Sequence, residues 1–176
     1  MSTTATATSS APTSDASAEL TDLLSTLAQH RGFLRYTVRD LDDEQARRTP
    51  TASQLSLGGL IKHVRTVEEA WARFAVGGAE LMESVEQDWE NGFRMLEDET
   101  LGGLLADYEE TAAKTERLMA DLDLNTTHAL PVAPWFPPGV SWSVRRVLLH
   151  LIAETSQHSG HADIIRETID GQKTMG

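Results

Sequence analysis

Four stretches of the sequence repeat apolar residues every three or four positions, which is the period of an α-helix with one buried face. We predict four helices from this pattern, over residues 17–37, 56–77, 101–123 and from 141 or 143 to about 169. Ser56 is a good N-cap for the second helix, and Gly77 with Gly78 ends it. No stretch has a convincing strand pattern. The sequence therefore predicts an all-α protein built as a four-helix bundle.

Long irregular connections separate the predicted helices. The first holds an acidic run at residues 40–44 and then Pro50, and it has room for one short helical turn. Residues 79–99 are acidic and are interrupted by Gly92, so we predict an excursion that contains one short helix. Four prolines within residues 130–139 exclude regular structure across that segment.

A chain of 176 residues is long enough for one domain with a substantial core and short for two. Residues 1–16, rich in Ser, Thr and Ala, predict a disordered tail; residues 17–170 form the bundle and residues 171–176 a C-terminal tail. The first residues lack the basic and apolar regions of a secretory signal, and no run of about 18 apolar residues occurs. We therefore expect a soluble, cytoplasmic protein.

The net charge of −12 comes from 15 basic and 27 acidic residues, and the sequence shows no basic patch. Nucleic acid and anionic membranes are therefore not expected as partners. The chain has no cysteine, which excludes disulfides, thiolate metal ligands and a thiol nucleophile of its own. Any thiol chemistry must use a thiol from outside the protein.

Three of the six histidines lie in the predicted fourth helix. At about 100° per residue, His150, Glu154, His158 and His161 share one face of that helix. The apolar residues interleaved with them belong in a core: Val147, Leu151 and Ile165. Buried ionisable groups must be paired, neutralised or bound to a metal. His150 and His158 lie about 12 Å apart along the axis, too far to share one ion, whereas Glu154 and His158 are one turn apart and form a plausible ligand pair.

His63 lies at the edge of the apolar face of the second helix. If it faces Glu154 and His158, the three side chains supply nitrogen and oxygen ligands and leave a coordination position open, as in a catalytic metal site. The spacing alone favours a simpler interpretation, because an acidic residue four positions before a histidine is also an ordinary helical side-chain pair.

Two segments resemble the DinB superfamily, including its mycothiol-dependent transferase and maleylpyruvate isomerase branches: Ser-Leu-Gly-Gly-Leu-Ile-Lys-His-Val at residues 56–64, and residues 149–164. The resemblance extends over roughly residues 17–170. It implies a four-helix bundle that holds a divalent metal through His63, Glu154 and His158. Zinc is the expected ion, with nickel or another divalent ion as the alternative, because Glu154 replaces the commoner histidine.

Where many members of that superfamily have glutamine, this chain has His161. We assign His161 as the candidate catalytic residue, either supporting a metal ligand or facing the substrate; a hydrogen-bonded core histidine is the equal alternative. A core role is favoured for His150, and a surface position for His30 and His128.

The aromatic and remaining basic residues have simpler expected roles. All four tryptophans are expected in the core: Trp71, Trp89, Trp135 and Trp142. Trp135 with Phe136 would plug the end of the core, and covering a pocket is the alternative. Arg65 and Arg73 are expected to be solvated, although either could meet an anionic ligand.

The resemblance implies a metal-dependent S-transferase or isomerase that uses a low-molecular-weight thiol, with mycothiol expected as the co-substrate. The predicted partners are this thiol and a small electrophile, and a homodimer is left open. One alternative is a non-catalytic helical bundle that binds a metal or small ligand. Another is a purely structural helical dimer whose polar residues pair internally without a metal.

Overall fold

The computed structural model describes residues 14–88 and 90–174. Its helices, within those residues, are α1 Ser14–Thr37, α2 Asp43–Arg47, α3 Leu57–Gly77, α4 Ala79–Glu83, α5 Leu101–Met119 and α6 Val144–Asp170. The four long helices form the bundle, and the short α2 and α4 lie in the connections. The all-α fold predicted from the apolar periodicity is confirmed.

The long helices pack so that α6 lies against both α1 and α3, and α3 also lies against α5. Apolar side chains fill two clusters. One lies around Leu60 and Ile165, and the other around Phe74 and Leu148. The apolar residues predicted to face the core from the fourth helix are all buried there: Val147, Leu151 and Ile165.

A layer of buried polar side chains separates the two apolar clusters. Arg31 of α1 donates through Nε and Nη2 to the carboxylate of Glu68 on α3, at 3.0 and 2.6 Å. Its Nη1 donates to Glu116 of α5 at 3.0 Å. Arg31 and Glu68 are 5 % and 1 % exposed, so each needs the other as a partner for its charge. One guanidinium thus connects three helices.

A short antiparallel ladder corrects the expectation that the chain has no strand. Strand β1, Thr127–Ala129, pairs with β2, Ser141–Ser143, and His128 lies opposite Trp142. Each strand has only three residues, too few for an alternating pattern to be visible in the sequence. The four prolines lie in the loop between the strands, where no ladder hydrogen bond is required.

The helix ends differ from prediction by a few residues. Helix α1 begins at Ser14 rather than residue 17. Helix α5 ends four residues before Asp123, whose carboxylate accepts the N–H of Asn125 at 2.9 Å in a turn that competes with helix. The predicted caps are present, because Ser56 and Ser143 each accept a backbone N–H of the first turn. Most of the predicted N-terminal tail, together with Trp89 and residues 175–176, lies outside the described residues.

No helix in the described part of the chain combines the length and the apolar character needed to cross a membrane.

The ion pair between α1 and α3 can be tested by removing one partner. Glu68→Ala leaves the guanidinium of Arg31 buried without its main counter-charge, so we expect the free energy of unfolding to fall by about 3–5 kcal/mol. The double variant Arg31→Met with Glu68→Leu should recover most of that loss. The measurement is urea unfolding. Glu109→Ala, which breaks the exposed pair with Arg35, is the matched control and should change stability far less. An equal loss in both single variants would contradict this account.

Candidate metal centre

The structure brings together the three residues that the sequence proposed as metal ligands. His63 is on α3, and Glu154 and His158 are on α6. Each offers one donor atom, and these atoms lie within 4.8 Å of one another. Nε2 of His158 is 3.3 Å from Oε2 of Glu154, and the rings of His63 and His158 are 4.8 Å apart between centroids. The predicted facing of the second and fourth helices is therefore present.

This donor set fits a divalent ion. Two donors bound at about 2.1 Å lie at most about 4.2 Å apart, so small side-chain rotations would close the site. Two imidazoles and one carboxylate are ligands of zinc and of other first-row divalent ions. Three protein ligands leave at least one coordination position for a substrate atom, which is the form of a catalytic site rather than a structural one.

The protonation states also suit metal binding. Burial, helped by the nearby His158, lowers the pKa of His63 to about 4, although Glu154 acts in the opposite direction. The hydrogen bond from His158 is the main cause that lowers the pKa of Glu154. At neutral pH His63 is therefore an uncharged imidazole and Glu154 is a carboxylate. These are the forms that bind a metal.

Phe93 covers His63, a contact that the sequence analysis missed. The two rings stack with centroids 3.9 Å apart and planes at 24°. The backbone of residues 93–95 packs directly on the first turn of α3. A Cβ at Gly59 would overlap the carbonyl oxygen of Phe93, and a Cβ at Gly58 would overlap the side chain of Met95. Two glycines in the first turn of a helix are a sequence signal for such close approach.

His161 lies beside His158, on the side of the ring away from Glu154. Its Nδ1 is 3.4 Å from Nδ1 of His158, whose Nε2 points toward Glu154. His161 is therefore in contact with a proposed ligand and outside the group of three donor atoms.

The remaining histidines are all half-buried, which differs from the surface positions expected for His30 and His128 and from the core position expected for His150. His128, expected on the surface, is half-buried because β1 packs against α3, and its Nε2 is 3.1 Å from the carbonyl oxygen of Ala75. His30 is also half-buried, with its ring edge against Phe33. His150, expected in the core, lies with its ring edge on Trp71 at 4.8 Å and its Nε2 3.8 Å from Glu154. Burial lowers the pKa of His150.

A cavity of about 730 Å³ adjoins the candidate ligands, and we call it the aromatic cavity. It is lined by His63, His150 and Glu154 and by the aromatic residues Trp71, Trp135 and Phe136. Trp142 stacks against Trp71, with centroids 4.7 Å apart and planes at 17°. Trp135 is 66 % exposed, so the expectation that it belongs to the core is wrong. The proline-rich loop places Trp135 at the rim of the aromatic cavity. This position fits the alternative role given above, which was to cover a pocket.

A second, charged cleft of about 310 Å³ reaches His63 from the side of Lys62 and Arg65. Lys62 is paired with Glu99 at 2.9 Å. Arg65 and Arg73, expected to be solvated, both pair with Glu69, at 3.6 and 2.8 Å.

The sequence model of the family described as Mycothiol-S-transferase matches residues 22–171 of this chain. The chain belongs to the mycothiol S-transferase family. This family is part of the DinB-like superfamily, so the resemblance seen in residues 56–64 and 149–164 is confirmed. A search of curated proteins finds no match to the chain.

For this member of the mycothiol S-transferase family, the three donor residues predict one divalent ion per chain. His63→Ala and His158→Ala should each remove it, because two protein ligands hold an ion poorly. Glu154→Gln should weaken binding less, since the amide keeps an oxygen donor. Elemental analysis of protein purified without chelator measures the occupancy, with His30→Ala as the control that retains the ion. Full metal occupancy in both His63→Ala and His158→Ala would show that these histidines are not the metal ligands.

His161 gives a separate prediction, because it touches His158 and not the proposed ion. His161→Ala should keep the metal, and the metal affinity should fall by about 10–100-fold at most, as for the loss of a group that supports a ligand. Competition with a chromogenic chelator measures this affinity. Loss of metal in His161→Ala with retention in Glu154→Ala would instead make His158 and His161 the ligands from α6.

Proposed function

We propose that this protein is a metal-dependent S-transferase that joins mycothiol, or a closely similar low-molecular-weight thiol, to a small electrophile. The observation that carries the proposal is the group His63, Glu154 and His158, which offers an open coordination position beside a large cavity. Membership of the mycothiol S-transferase family supports the choice of thiol and of transfer chemistry. The absence of cysteine supports it too, since the nucleophilic sulfur must come from a co-substrate.

His63, Glu154 and His158 would hold the ion, and a bound divalent ion lowers the pKa of a coordinating thiol so that the thiolate forms near neutral pH. Zinc fits the donor set, and nickel is the alternative. The thiol gives up its proton to water, and its sulfur then forms a bond to the electrophilic carbon. The leaving group departs with its electron pair. If the electrophile is an activated alkene, the neighbouring carbon takes up a proton instead.

The protein side chains fix where this reaction occurs. Phe93 lies flat on His63, so it restrains the orientation of that imidazole and keeps water from one of its faces. If Nε2 of His158 held the ion, its Nδ1 would carry the proton and could donate it to Nδ1 of His161, 3.4 Å away. In this proposal His161 holds the ring of His158 in place. It acts on the reaction through that ligand.

The alternative function is a non-catalytic bundle that binds a metal or a small ligand. It would use the same three donors without engaging a thiol. The cytoplasmic location and the homodimer remain predictions from the sequence.

Thiol activation can be tested by counting protons. The ligating form is the thiolate, so binding of mycothiol to the metal-loaded protein should release about one proton at pH values well below the free thiol pKa of about 8.5. The number released should fall toward zero as the pH rises past that value, where the free thiol is already ionised. Titration calorimetry in buffers of different ionisation enthalpy gives the count, with metal-free His158→Ala as the control.

Thiol binding without proton release would show that this activation mechanism is wrong. Metal binding with no thiol binding at all would favour the non-catalytic bundle.

A further inference from the structure

The wall of the aromatic cavity is built from rings that support one another. Trp71 meets Phe136 edge-on at 6.2 Å, and Phe136 meets Trp135 at 6.2 Å and 64°. Trp142 stacks behind Trp71. Aromatic side chains bury large apolar areas and prefer these geometries, so the wall offers a preformed surface for a flat or apolar group. Just over half of the other cavity residues are also apolar: Val67, Ala70, Met82, Val85, Pro131, Val132 and Ala133.

The charges in this cavity are of one sign. Among the described residues that line it, Glu83, Glu86 and Glu154 carry carboxylates, and none is lysine or arginine. Lys62 and Arg65 line the charged cleft instead, where each is paired with a glutamate.

Arg146 lies behind the aromatic wall and is not among the residues that line the cavity. Its guanidinium lies over the ring of Trp142, 4.8 Å from the centroid. The two positive charges of a divalent ion would be balanced by the carboxylate of Glu154 and a bound thiolate. The carboxylates of Glu83 and Glu86 then give the cavity a net negative charge. The whole chain, at −12, has the same sign.

We propose that the aromatic cavity binds the electrophile, and that it selects an uncharged molecule with an aromatic or otherwise apolar body and rejects carboxylates. This inference rests on the proposed S-transferase function and names the substrate class for it. The apolar body lies against Trp71, Trp135 and Phe136, which places the reactive carbon toward His63 and Glu154. There the thiolate sulfur forms the new bond and the leaving group departs with its electron pair.

The selection has a physical cause. A carboxylate entering this cavity would lose hydration, gain no lysine or arginine partner, and lie near carboxylates of the same sign. A dicarboxylate such as maleylpyruvate, for which the isomerase branch is named, would incur this penalty twice. The cavity therefore favours transfer to neutral electrophiles over isomerisation of a dicarboxylate.

The test uses two unreactive ligands that differ in one charge, 2-naphthamide and 2-naphthoate. Calorimetric titration of the metal-loaded full chain saturated with mycothiol, so that the thiolate offsets the ion and fills its open position, should show the amide binding at least about tenfold more tightly, equivalent to about 1.4 kcal/mol. Trp135→Ala and Phe136→Ala should each weaken amide binding by about fivefold or more, because each removes part of the apolar wall. Leu118→Ala is the control, since Leu118 is an exposed apolar residue of α5 outside this cavity.

The effect of the cavity carboxylates on ligand affinity is tested with separate variants. Glu83→Gln with Glu86→Gln should raise the affinity for naphthoate several-fold and leave amide binding unchanged, because both side chains are exposed and neither is buried against the wall. Glu110→Gln, an exposed carboxylate on α5, is the matched control and should change neither affinity.

Equal or tighter binding of naphthoate to the unaltered protein, or no binding of the amide, would overturn the inference. So would unchanged amide affinity in both wall variants. These measurements need no reaction, because both ligands are unreactive. If the amide binds as expected while thiol binding releases no proton, the proposed thiol activation fails and the charge selectivity of the cavity stands.

Discussion

The buried contact of Arg31 with Glu68 and Glu116 sets the relative positions of three helices. An apolar contact tolerates small sliding, whereas a buried guanidinium loses much of its stabilisation when its carboxylates move by an ångström or more. Helices α1, α3 and α5 are therefore held in one axial register. Arg166 fixes α6 to the end of α1 in a similar way. Its guanidinium donates to the carbonyl oxygens of Thr37 and Arg39, both at 2.7 Å.

The candidate metal site lies at the level of this polar layer, between the two apolar clusters. Glu68 is little more than one helical turn from His63 on α3, and the buried Thr155 is next to Glu154 on α6. Polar groups at this depth reduce the apolar area that the core can bury, and the clusters on either side compensate. The same arrangement keeps His63 uncharged and its ring fixed. Apolar burial is thus concentrated above and below the site, and the candidate metal ligands lie between the two clusters.

Much of this architecture could be predicted from the sequence because helical periodicity and capping are local properties. The pairing of Glu154 with His158 follows from their spacing of four residues. That His63 faces this pair depends on how α3 packs on α6, which periodicity does not determine, and only the family resemblance indicated it. The β-ladder was too short to leave a pattern. Trp135 was placed wrongly because its hydrophobicity says nothing about which side of a proline-rich loop it occupies. Phe93 was missed, although Gly58 and Gly59 mark the backbone contact that positions it.

The hairpin leads directly into the helix that supplies two of the donors. Residues 130–140 carry part of the cavity rim, the ladder between β1 and β2 closes that loop, and Ser143 then caps α6. The ladder and the cap therefore separate the loop from the helix that carries Glu154 and His158. Evolution can therefore alter residues 130–140, and with them the choice of ligand, separately from the donor residues Glu154 and His158.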